Sequence, residues 1–268
     1  MDKLDFLIEY LLKENNQSFD DLYGLYKTEK KTLYRALVNI REAKPISPEF
    51  LKAEDEYLQA ELAKQNVKNV NDIKTIEAKF KKSNIKNADR ICLWKGDITK
   101  LKVDAIVNAA NSQGLGCFLP NHICIDNQIH TFAGVRLRLE CDEFMRKIDY
   151  DLKTSKCFIT KGYNLPADNV IHTVGPIIEN ALTEELKELL ADTYINCLNC
   201  AIENNIRTIA FPCISTGVFR FPKAEASKIA IKAVDDFISQ NRDKLDKVIF
   251  NLWSDEDVMI YERDIKDN

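Results

Sequence analysis

Two cysteines and a histidine, Cys117, His122 and Cys124, stand within eight residues in the loop that runs from Asn108 to His130. Thiolate and imidazole are ligands that zinc prefers. Three protein ligands match a catalytic zinc site, which keeps a fourth position open for water or substrate, whereas a structural site normally has four. The spacing therefore predicts one zinc ion per chain, held by these three residues.

Two other loops carry residues suited to a nucleotide ligand. The segment Ile214-Ser215-Thr216-Gly217 enters a predicted helix, where small residues with free backbone N–H groups form an anion pocket, although a plain tight turn would look the same. Asp97, in Gly96-Asp97-Ile98-Thr99, could accept a hydrogen bond from an exocyclic amine such as that of adenine, or only cap a turn. The sequence contains neither a GxxxxGK[ST] phosphate loop nor a GxGxxG motif.

The remaining polar residues near the metal-ligand candidates allow two interpretations each. Asp126 is either the N-cap of a helix or a catalytic carboxylate, and His130 and His172 are more typical of buried, hydrogen-bonded histidines than of catalytic ones. Six further cysteines are expected to pack as small hydrophobic residues: Cys92, Cys141, Cys157, Cys197, Cys200 and Cys213. The CxxC among them lies inside a predicted helix, which is not the setting of a redox motif.

Length and composition exclude several classes of protein. The 268 residues can form one large or two modest domains, and 45% apolar with 30% charged residues is ordinary for a globular protein. A net charge of −4 gives no reason to expect nucleic-acid binding, and no apolar run reaches the roughly 18 to 20 residues of a membrane helix. The acidic N-terminal stretch does not resemble a signal peptide, so we expect a cytoplasmic protein with free thiols.

Residues 1 to 88 are predicted to form a helical N-terminal region. Apolar residues recur at helical spacing from Leu4 to Leu12, and Ser18 is a candidate N-cap for a second helix. The second helix would carry Leu22, Leu25 and Tyr26; a third would carry Leu33, Leu37 and Ile40; a fourth would begin at Pro48; and a short one would lie between Val70 and Lys82. Nothing in this region indicates chemistry of its own.

Residues 89 to 268 are predicted to form an α/β domain. Strands are expected at 91–94, 103–107, 156–160, 169–174, 207–213 and 247–253, and helices at 126–145, 184–204, 223–240 and 256–263. Such alternation favours a sheet covered by helices on both faces. Since sites in these folds lie at the carboxyl ends of strands, we expect the loop after residue 107 to meet the loop at Ile214.

Four motifs together resemble the macrodomain family of ADP-ribose-binding modules. They are GDIT at 96–99, VDAIVNAAN at 103–111, VIHTVGP at 170–176 and CISTGVFRFP at 213–222. The resemblance implies a three-layer α/β/α sandwich around a mixed sheet, with a cleft for ADP-ribose. It also implies where the parts of the ligand bind: adenine at Asp97, the diphosphate at the loop that begins at Ser215, and the distal ribose beside Phe219 and the two asparagines. The full set of implied ligand-binding residues is Asp97, Ile98, Asn108, Asn111, Ser215, Thr216, Gly217, Val218 and Phe219.

The catalytic loop departs from the family pattern. Many hydrolytic macrodomains carry GGxGVDGAIH there, whereas this chain has GLGCFLPNHICIDNQIH, with Asp126 and His130 in the same register. This looks like the zinc-dependent microbial branch, which has a helical N-terminal extension and removes mono-ADP-ribose from protein side chains. The resemblance implies Asp126 and Asn111 as catalytic residues and a mono-ADP-ribosylated protein as substrate. In that branch the substrate can be a lipoyl-carrier protein of the glycine-cleavage type, modified by a sirtuin-type transferase.

Three functions remain open on the sequence. The first is a zinc-dependent hydrolase acting on acidic-residue linkages, in which zinc either polarises a ribose oxygen or lowers the pKa of a bound water. The second is a non-enzymatic ADP-ribose reader with a structural zinc. The third is a hydrolase of a small ADP-ribose derivative, against which the added N-terminal helices argue mildly.

Overall fold

Six strands of the chain form one mixed sheet. The computed structural model describes residues 2–17, 29–80 and 82–267. The strands in these residues are β1 (Lys68–Asn69), β2 (Ile91–Lys95), β3 (Leu101–Lys102), β4 (Ala105–Ala109), β5 (Cys157–Lys161), β6 (Asn169–Thr173), β7 (Thr208–Phe211) and β8 (Lys247–Leu252). The sheet order is β2-β8-β7-β4-β6-β5, with only β5 antiparallel to its neighbour, and β1 pairs with β3 in a separate ribbon.

The described helices lie on both faces of this sheet and in the N-terminal region. They are α1 (Lys3–Glu14), α2 (Lys30–Ile40), α3 (Pro48–Leu62), α4 (Ile76–Lys79), α5 (Ile125–Ala133), α6 (Val135–Met145), α7 (Glu184–Glu203), α8 (Lys223–Gln240) and α9 (Asp255–Asp267). Alternate strand residues point to opposite faces, as the pleat requires. Val107 and Phe211 join the apolar cluster under α7, α8 and α9, whereas Ile106 and Ala210 join the cluster under α5 and α6. The predicted three-layer α/β/α fold is confirmed.

The N-terminal helices have an apolar core of their own. Residues of α1, α2 and α3 form this cluster, and Val135 at the start of α6 completes it. Farther along, Val70, Ile73, Ile76 and Ile85 pack into the two clusters of the sheet. A boundary at residue 88 stays a prediction. The second predicted helix, after Ser18, lies outside the described residues.

Helix α5 is separate from α6, although the apolar pattern predicts one continuous helix over 126–145. The break is at Gly134, which has φ +90° and ends α5. A Cβ at this position would lie 2.7 Å from Oε2 of Glu54, so the N-terminal region also requires a glycine here. Tertiary contacts with Glu54 thus reinforce a bend that the spacing of apolar residues does not reveal. The predicted strand at 103–107 also differs, because the chain forms β3 and β4 on either side of residues 103 and 104.

Glu54 is a fully buried carboxyl group that joins the N-terminal helices to α6. It accepts hydrogen bonds from Tyr34 Oη at 2.7 Å and from the Val135 N–H at 3.0 Å. Burial raises its pKa from 4.5 to about 7, which outweighs the two hydrogen bonds; among neighbouring charges, Asp55 raises the pKa further and Arg136 lowers it. The folded chain therefore binds this proton more tightly than the unfolded chain does.

No helix in the described residues is long and apolar enough to cross a membrane.

We expect Glu54 to make stability fall as the pH rises from about 4.5 to about 7, because the folded state holds the proton over that range and the unfolded state releases it. A rise in pKa from 4.5 to about 7 corresponds to a loss of about 3 kcal/mol of unfolding free energy. Glu54→Gln keeps the shape of the side chain without the charge. In urea unfolding at pH 5 and pH 8, the free energy of unfolding of Glu54→Gln, relative to that of the wild type, should be higher at pH 8 than at pH 5.

Glu49→Gln is the matched control, since Glu49 is an exposed residue of the same helix, α3. It should leave the difference between the two pH values unchanged. A Glu54→Gln protein with the same pH dependence as the wild type would mean that the buried carboxyl group is ionised throughout.

Candidate functional site

A cleft of about 550 Å³ opens at the carboxyl edge of the parallel strands. Its walls come from loops that follow β2, β4, β7 and β8, because parallel strands end on the same side of a sheet. All three candidate metal ligands and Asp126 line it, together with Asp97, Ile98, Asn111 and the loop from Ser215 to Phe219. The predicted meeting of the loop after β4 with the loop at Ile214 is confirmed.

The two cysteines and the histidine of the β4 loop converge. One ligand atom each of Cys117, His122 and Cys124 lie within 4.8 Å of one another, and Cys117 Sγ is 3.6 Å from His122 Nδ1. A tetrahedral zinc ion separates a sulfur and a nitrogen ligand by about 3.6 Å. Burial raises the pKa of the Cys124 thiol to about 12. The nearby Asp126 and Cys117 raise it further, whereas a hydrogen bond from the Asn127 N–H lowers it. A divalent cation at this position would hold the thiol deprotonated, so the residues fit the predicted ion.

The backbone of this loop is held in unusual conformations. Gly114, Gly116 and Asn121 all have φ between +56° and +87°, which glycine and asparagine tolerate best. A Cβ at residue 116 would also come 2.8 Å from the His130 ring, so a glycine is required there for space as well. The turn before Cys117 is thus determined by its packing against α5.

Asp126 lies in the first turn of α5 and is buried. Its Oδ1 accepts a 2.7 Å hydrogen bond from Asn108 Nδ2. Burial raises the pKa of Asp126 to about 6, while the bond from Asn108 and the charge of Arg138 lower it. The alternative that Asp126 is the N-cap is wrong, because Cys124 occupies that position and its sulfur accepts from the Asn127 N–H.

Asn108 occupies a position that the resemblance does not predict. It is fully buried and lies behind the cleft, so it does not line a ribose pocket in this structure. The amide donates to Asp126 and lies 3.1 Å from His172 Nδ1, and His172 Nε2 lies 2.9 Å from Thr160 Oγ1. Since Asn108 is the donor, His172 is neutral with its proton on Nε2, consistent with burial lowering its pKa to about 3.

His130 and His172 are both buried, as predicted, but only His172 is hydrogen-bonded. Both ring nitrogens of His130 lack a hydrogen-bond partner in the described residues, although Nε2 lies 3.7 Å from Asp126 Oδ1, and burial, followed by Arg138 and His172, lowers the pKa of His130. His130, Cys141 and His172 also have ligand atoms within 4.8 Å of one another. This second set fits a metal poorly, because His172 Nε2 already bonds Thr160 and the Arg138 charge is close.

The loop after β7 forms a strained anion pocket. Ser215 has φ +65°, and its buried hydroxyl has no hydrogen-bond partner among the described residues. The N–H groups of Gly217, Val218 and Phe219 likewise donate to no other group in the described chain. Gly175 allows the close approach, since a Cβ there would lie 2.2 Å from Ser215 Oγ. These unpaired donors suit the oxygens of a diphosphate.

Asp97 both caps a turn and faces the cleft. Its Oδ1 accepts from the Thr99 N–H at 3.0 Å and from Thr99 Oγ1 at 2.6 Å, which begins the short 3-10 turn Ile98–Lys100. Its Oδ2 lies 3.4 Å from Lys100 Nζ and remains able to accept from a ligand. The two interpretations of Asp97 are therefore compatible, one for each oxygen.

Asn111 lines the cleft, but its side chain is engaged with the loop. The Nδ2 donates to Gly116 O at 3.3 Å, and Oδ1 accepts from the N–H groups of Gln113 and Gly114. Phe219 is half-buried beside the anion pocket and packs on the cluster under α5 and α6. The six other cysteines lie in or against the two apolar clusters of the sheet, as predicted.

Two residues of the site escape sequence analysis. Trp253 follows β8, is 67% exposed and lines the cleft together with Asp97, where its ring could pack on a base. Its place just after a parallel strand is a signal that could have revealed it. Asn127 is fully buried and its Nδ2 donates to Leu119 O at 2.9 Å and to Cys117 O at 3.3 Å. No sequence pattern distinguishes Asn127 from any other helical asparagine.

Comparison with known proteins agrees with this geometry. Residues 107–230 match the model of the family described as the Macro domain. A protein-ADP-ribose hydrolase of Treponema medium is 45% identical over 258 residues, 96% of this chain and 96% of its own. The Staphylococcus aureus (strain MRSA252) protein of the same name is 43% identical over 97% of this chain and 93% of its own. Both alignments extend through most of the N-terminal helices.

Solved structures give the same family. A Trypanosoma brucei macrodomain in complex with ADP is 28% identical with a TM-score of 0.67, covering 89% of this chain and 97% of that one. An Oceanobacillus iheyensis macrodomain with ADP is 36% identical with a TM-score of 0.61, covering 68% of this chain and 93% of that one. On its fold, its cleft and its relatives, the chain belongs to the macrodomain family.

Proposed function

We propose that this chain is a zinc-dependent hydrolase that removes mono-ADP-ribose from modified protein side chains, with acidic-residue linkages as the expected substrates. One observation carries the proposal. The convergent Cys117, His122 and Cys124, the buried carboxylate of Asp126 and the anion pocket all line a single cleft. The relatives named protein-ADP-ribose hydrolases, which align over almost the whole chain, support an enzyme rather than a reader.

ADP-ribose would be held at its adenine base, its diphosphate and its distal ribose. Oδ2 of Asp97 would accept from the adenine amine, and the face of Trp253 would pack on the base. The free N–H groups at 217–219 and the Ser215 hydroxyl would bind the diphosphate. Asn111 and Phe219 would then lie beside the distal ribose. Binding energy from these remote groups would orient the scissile bond towards the β4 loop.

Cys117, His122 and Cys124 would hold one zinc ion with a free fourth position. When bound, such an ion supplies Lewis-acid stabilisation of developing negative charge. The liganding loop lies on the same cleft wall as Asp126, which places that chemistry beside the carboxylate.

Asp126 is the proposed general base. Asn108 fixes its Oδ1 and leaves Oδ2 to orient a water molecule and accept its proton. Burial raises the pKa of Asp126 and so makes its carboxylate a stronger base, while the hydrogen bond from Asn108 and the charge of Arg138 favour the ionised form. Water provides the new oxygen at the anomeric carbon, and the substrate's carboxylate leaves with the bond electrons. The products are free ADP-ribose and an unmodified side chain.

A protein substrate is supported by the apolar rim of the cleft. Ile123, Val218 and Trp253 all line the cleft and are 82%, 79% and 67% exposed. A group of exposed apolar side chains around a cleft is typical of a protein contact. The proposed partner is a mono-ADP-ribosylated protein, with a lipoyl-carrier protein modified by a sirtuin-type transferase as the candidate, and no nucleic acid or membrane is involved. The proposed compartment is the cytoplasm.

Removing a metal ligand should release the ion. Purified wild-type protein should contain about one zinc per chain, and Cys124→Ala should lose most of it together with turnover. The core should remain folded, because the ligands lie outside the sheet. Atomic absorption and circular dichroism measure the two quantities. Cys200→Ala, a change in α7, is the control, and a Cys124→Ala protein with full zinc and full activity would refute the assignment.

Asp97→Asn should weaken ADP-ribose binding by about ten- to a hundredfold, the equivalent of roughly 1.5 to 3 kcal/mol for a hydrogen bond to a charged group. The amide can still accept from Thr99, so the turn is preserved while the acceptor for the adenine amine is lost. Calorimetry with ADP-ribose measures the change, and the exposed Asp149→Asn is the control. Equal affinities would mean that Asp97 serves only the turn.

Asp126→Ala separates an enzyme from a reader. The variant should keep zinc and bind ADP-ribose nearly as the wild type does, yet lose a hundredfold or more in turnover, as expected for a general base. The assay is release of ADP-ribose from a protein modified on acidic residues. Zinc-loaded wild type that releases none from acidic, serine or arginine linkages would establish a reader instead. Unchanged turnover in the variant would assign the base to another group.

A further inference from the structure

Helix α2 of the N-terminal region contacts the loop that carries the metal ligands. Nη2 of Arg35 donates a 2.6 Å hydrogen bond to the backbone oxygen of His122 and a 2.9 Å bond to Asn127 Oδ1. A single positively charged group from outside the α/β domain therefore holds both the backbone of one metal ligand and the first turn of α5. Hydrogen bonds from charged donors are the stronger kind.

Asn39, one turn farther along α2, makes a second contact with the loop. It is buried, its Oδ1 accepts a 2.9 Å bond from the Asn121 N–H, and its Nδ2 donates to Thr131 Oγ1 at 2.9 Å. Asn121 has φ +56°, a conformation that costs energy for any residue with a side chain, and it directly precedes His122. Asn39 thus stabilises the strained residue that aims the histidine ligand.

Asn127 transmits both contacts to the cysteines. Its N–H donates to Cys124 Sγ at 3.4 Å, and its Nδ2 donates to Cys117 O and Leu119 O. Its side-chain acceptor, Oδ1, takes a bond from Arg35 at 2.9 Å and a longer one from Thr131 Oγ1 at 3.5 Å. The amide that fixes the backbone at Cys117 is therefore oriented by the guanidinium of α2, since reversing the amide would set donor against donor.

Arg138 binds the same helix from the other side. Its guanidinium donates to Val38 O and Arg41 O at the end of α2, and to Leu115 O in the metal-ligand loop. It also lies over the Phe118 ring, with Cζ 4.3 Å from the centroid. These contacts tie the end of α2 to the segment just before and after Cys117.

We propose that Arg35 and Asn39 are positioning residues of the metal site, so that the N-terminal region and the macrodomain act as one catalytic unit. The inference rests on the zinc site of the proposed function, but not on its turnover. The segment from Cys117 to Asn127 contains no strand, and only its last three residues, 125–127, are helical. Without contacts from other elements, this segment would lose conformational entropy when it binds the ion, and the ion would bind more weakly. A segment that is already ordered avoids that loss.

Arg35→Met tests the proposal, because it keeps the apolar stem and removes the donors. Removal of a group that orients a metal ligand typically lowers metal affinity by ten- to a hundredfold, so we expect the zinc affinity of Arg35→Met to fall about tenfold or more. Competition with a chromophoric zinc chelator measures it. Amide hydrogen exchange at residues 117–127 of the full chain should accelerate, by about tenfold, whether or not zinc is present.

Lys31→Met is the matched control. Lys31 is a basic residue of the same helix, and its ion-pair partner is Glu61 of α3 rather than any loop residue. It should match the wild type in zinc affinity and in exchange. Arg35→Lys retains a charged donor and should lie nearer to the wild type than Arg35→Met does. Asn39→Ala should accelerate exchange most at Asn121 and His122.

Arg35→Met and Lys31→Met proteins that are equal in zinc affinity and in loop exchange would overturn the proposal. Neither measurement needs turnover, so a chain inactive on every linkage would refute the proposed hydrolase without deciding this inference. If the wild type binds no zinc, the proposal fails together with the zinc site of the proposed function, because there is then no metal site to position. A thermal melt of each variant distinguishes local loosening of the loop from global unfolding.

Discussion

The parallel pairing of β4 with β7 is the constraint on which the candidate site depends. Ala105 pairs with Ile209 and Ile106 with Ala210, so the segments that follow β4 and β7 leave the sheet side by side. One continues into Asn111 and the metal-ligand loop, and the other into the strained Ser215. Because both strands are buried on both faces, a slip by one residue would turn their apolar side chains to the wrong clusters, so the register is fixed. The candidate metal ligands and the loop from Ser215 to Phe219 therefore line one cleft.

Polar groups beneath that cleft are arranged in one connected network. Asn108, next to the last residue of β4, pairs directly with His172 of β6, and its amide bridges the histidine to Asp126. A buried carboxylate is costly to desolvate, and a donor held by the strand register reduces that cost. The same strands that build the core therefore also determine how Asp126 is presented. Within the part of the chain that the structure describes, the Ser215 hydroxyl and the N–H groups of residues 217–219 have no hydrogen-bond partner, so the cleft also presents a set of unused donors.

The N-terminal helices are bound to the macrodomain by buried polar contacts as well as by apolar packing. Glu54 accepts from the first N–H of α6 at the bend made by Gly134, and Val135 next to it belongs to the N-terminal core. From α2, Arg35 and Asn39 reach the loop after β4. These contacts fall on both ends of α5, the helix whose first turn carries Asp126. An extension that would look like an accessory domain by composition alone thus borders the groups proposed for catalysis.

The sequence by itself determined the family, the layered α/β fold and the identity of the metal-ligand candidates. The approximate positions of strands and helices follow from local apolar periodicity, and Cys117, His122 and Cys124 are close enough along the chain to be recognised by spacing. It also located Asp97 and the 215–219 loop, because motif residues keep their register. Long-range contacts were beyond it. The break at Gly134, the burial of Asn108 behind Asp126, the place of Trp253 at the cleft and the reach of Arg35 to His122 all join residues far apart in the chain. Only the packing of whole elements decides such contacts, because a side chain's partners depend on which distant segment is folded against it.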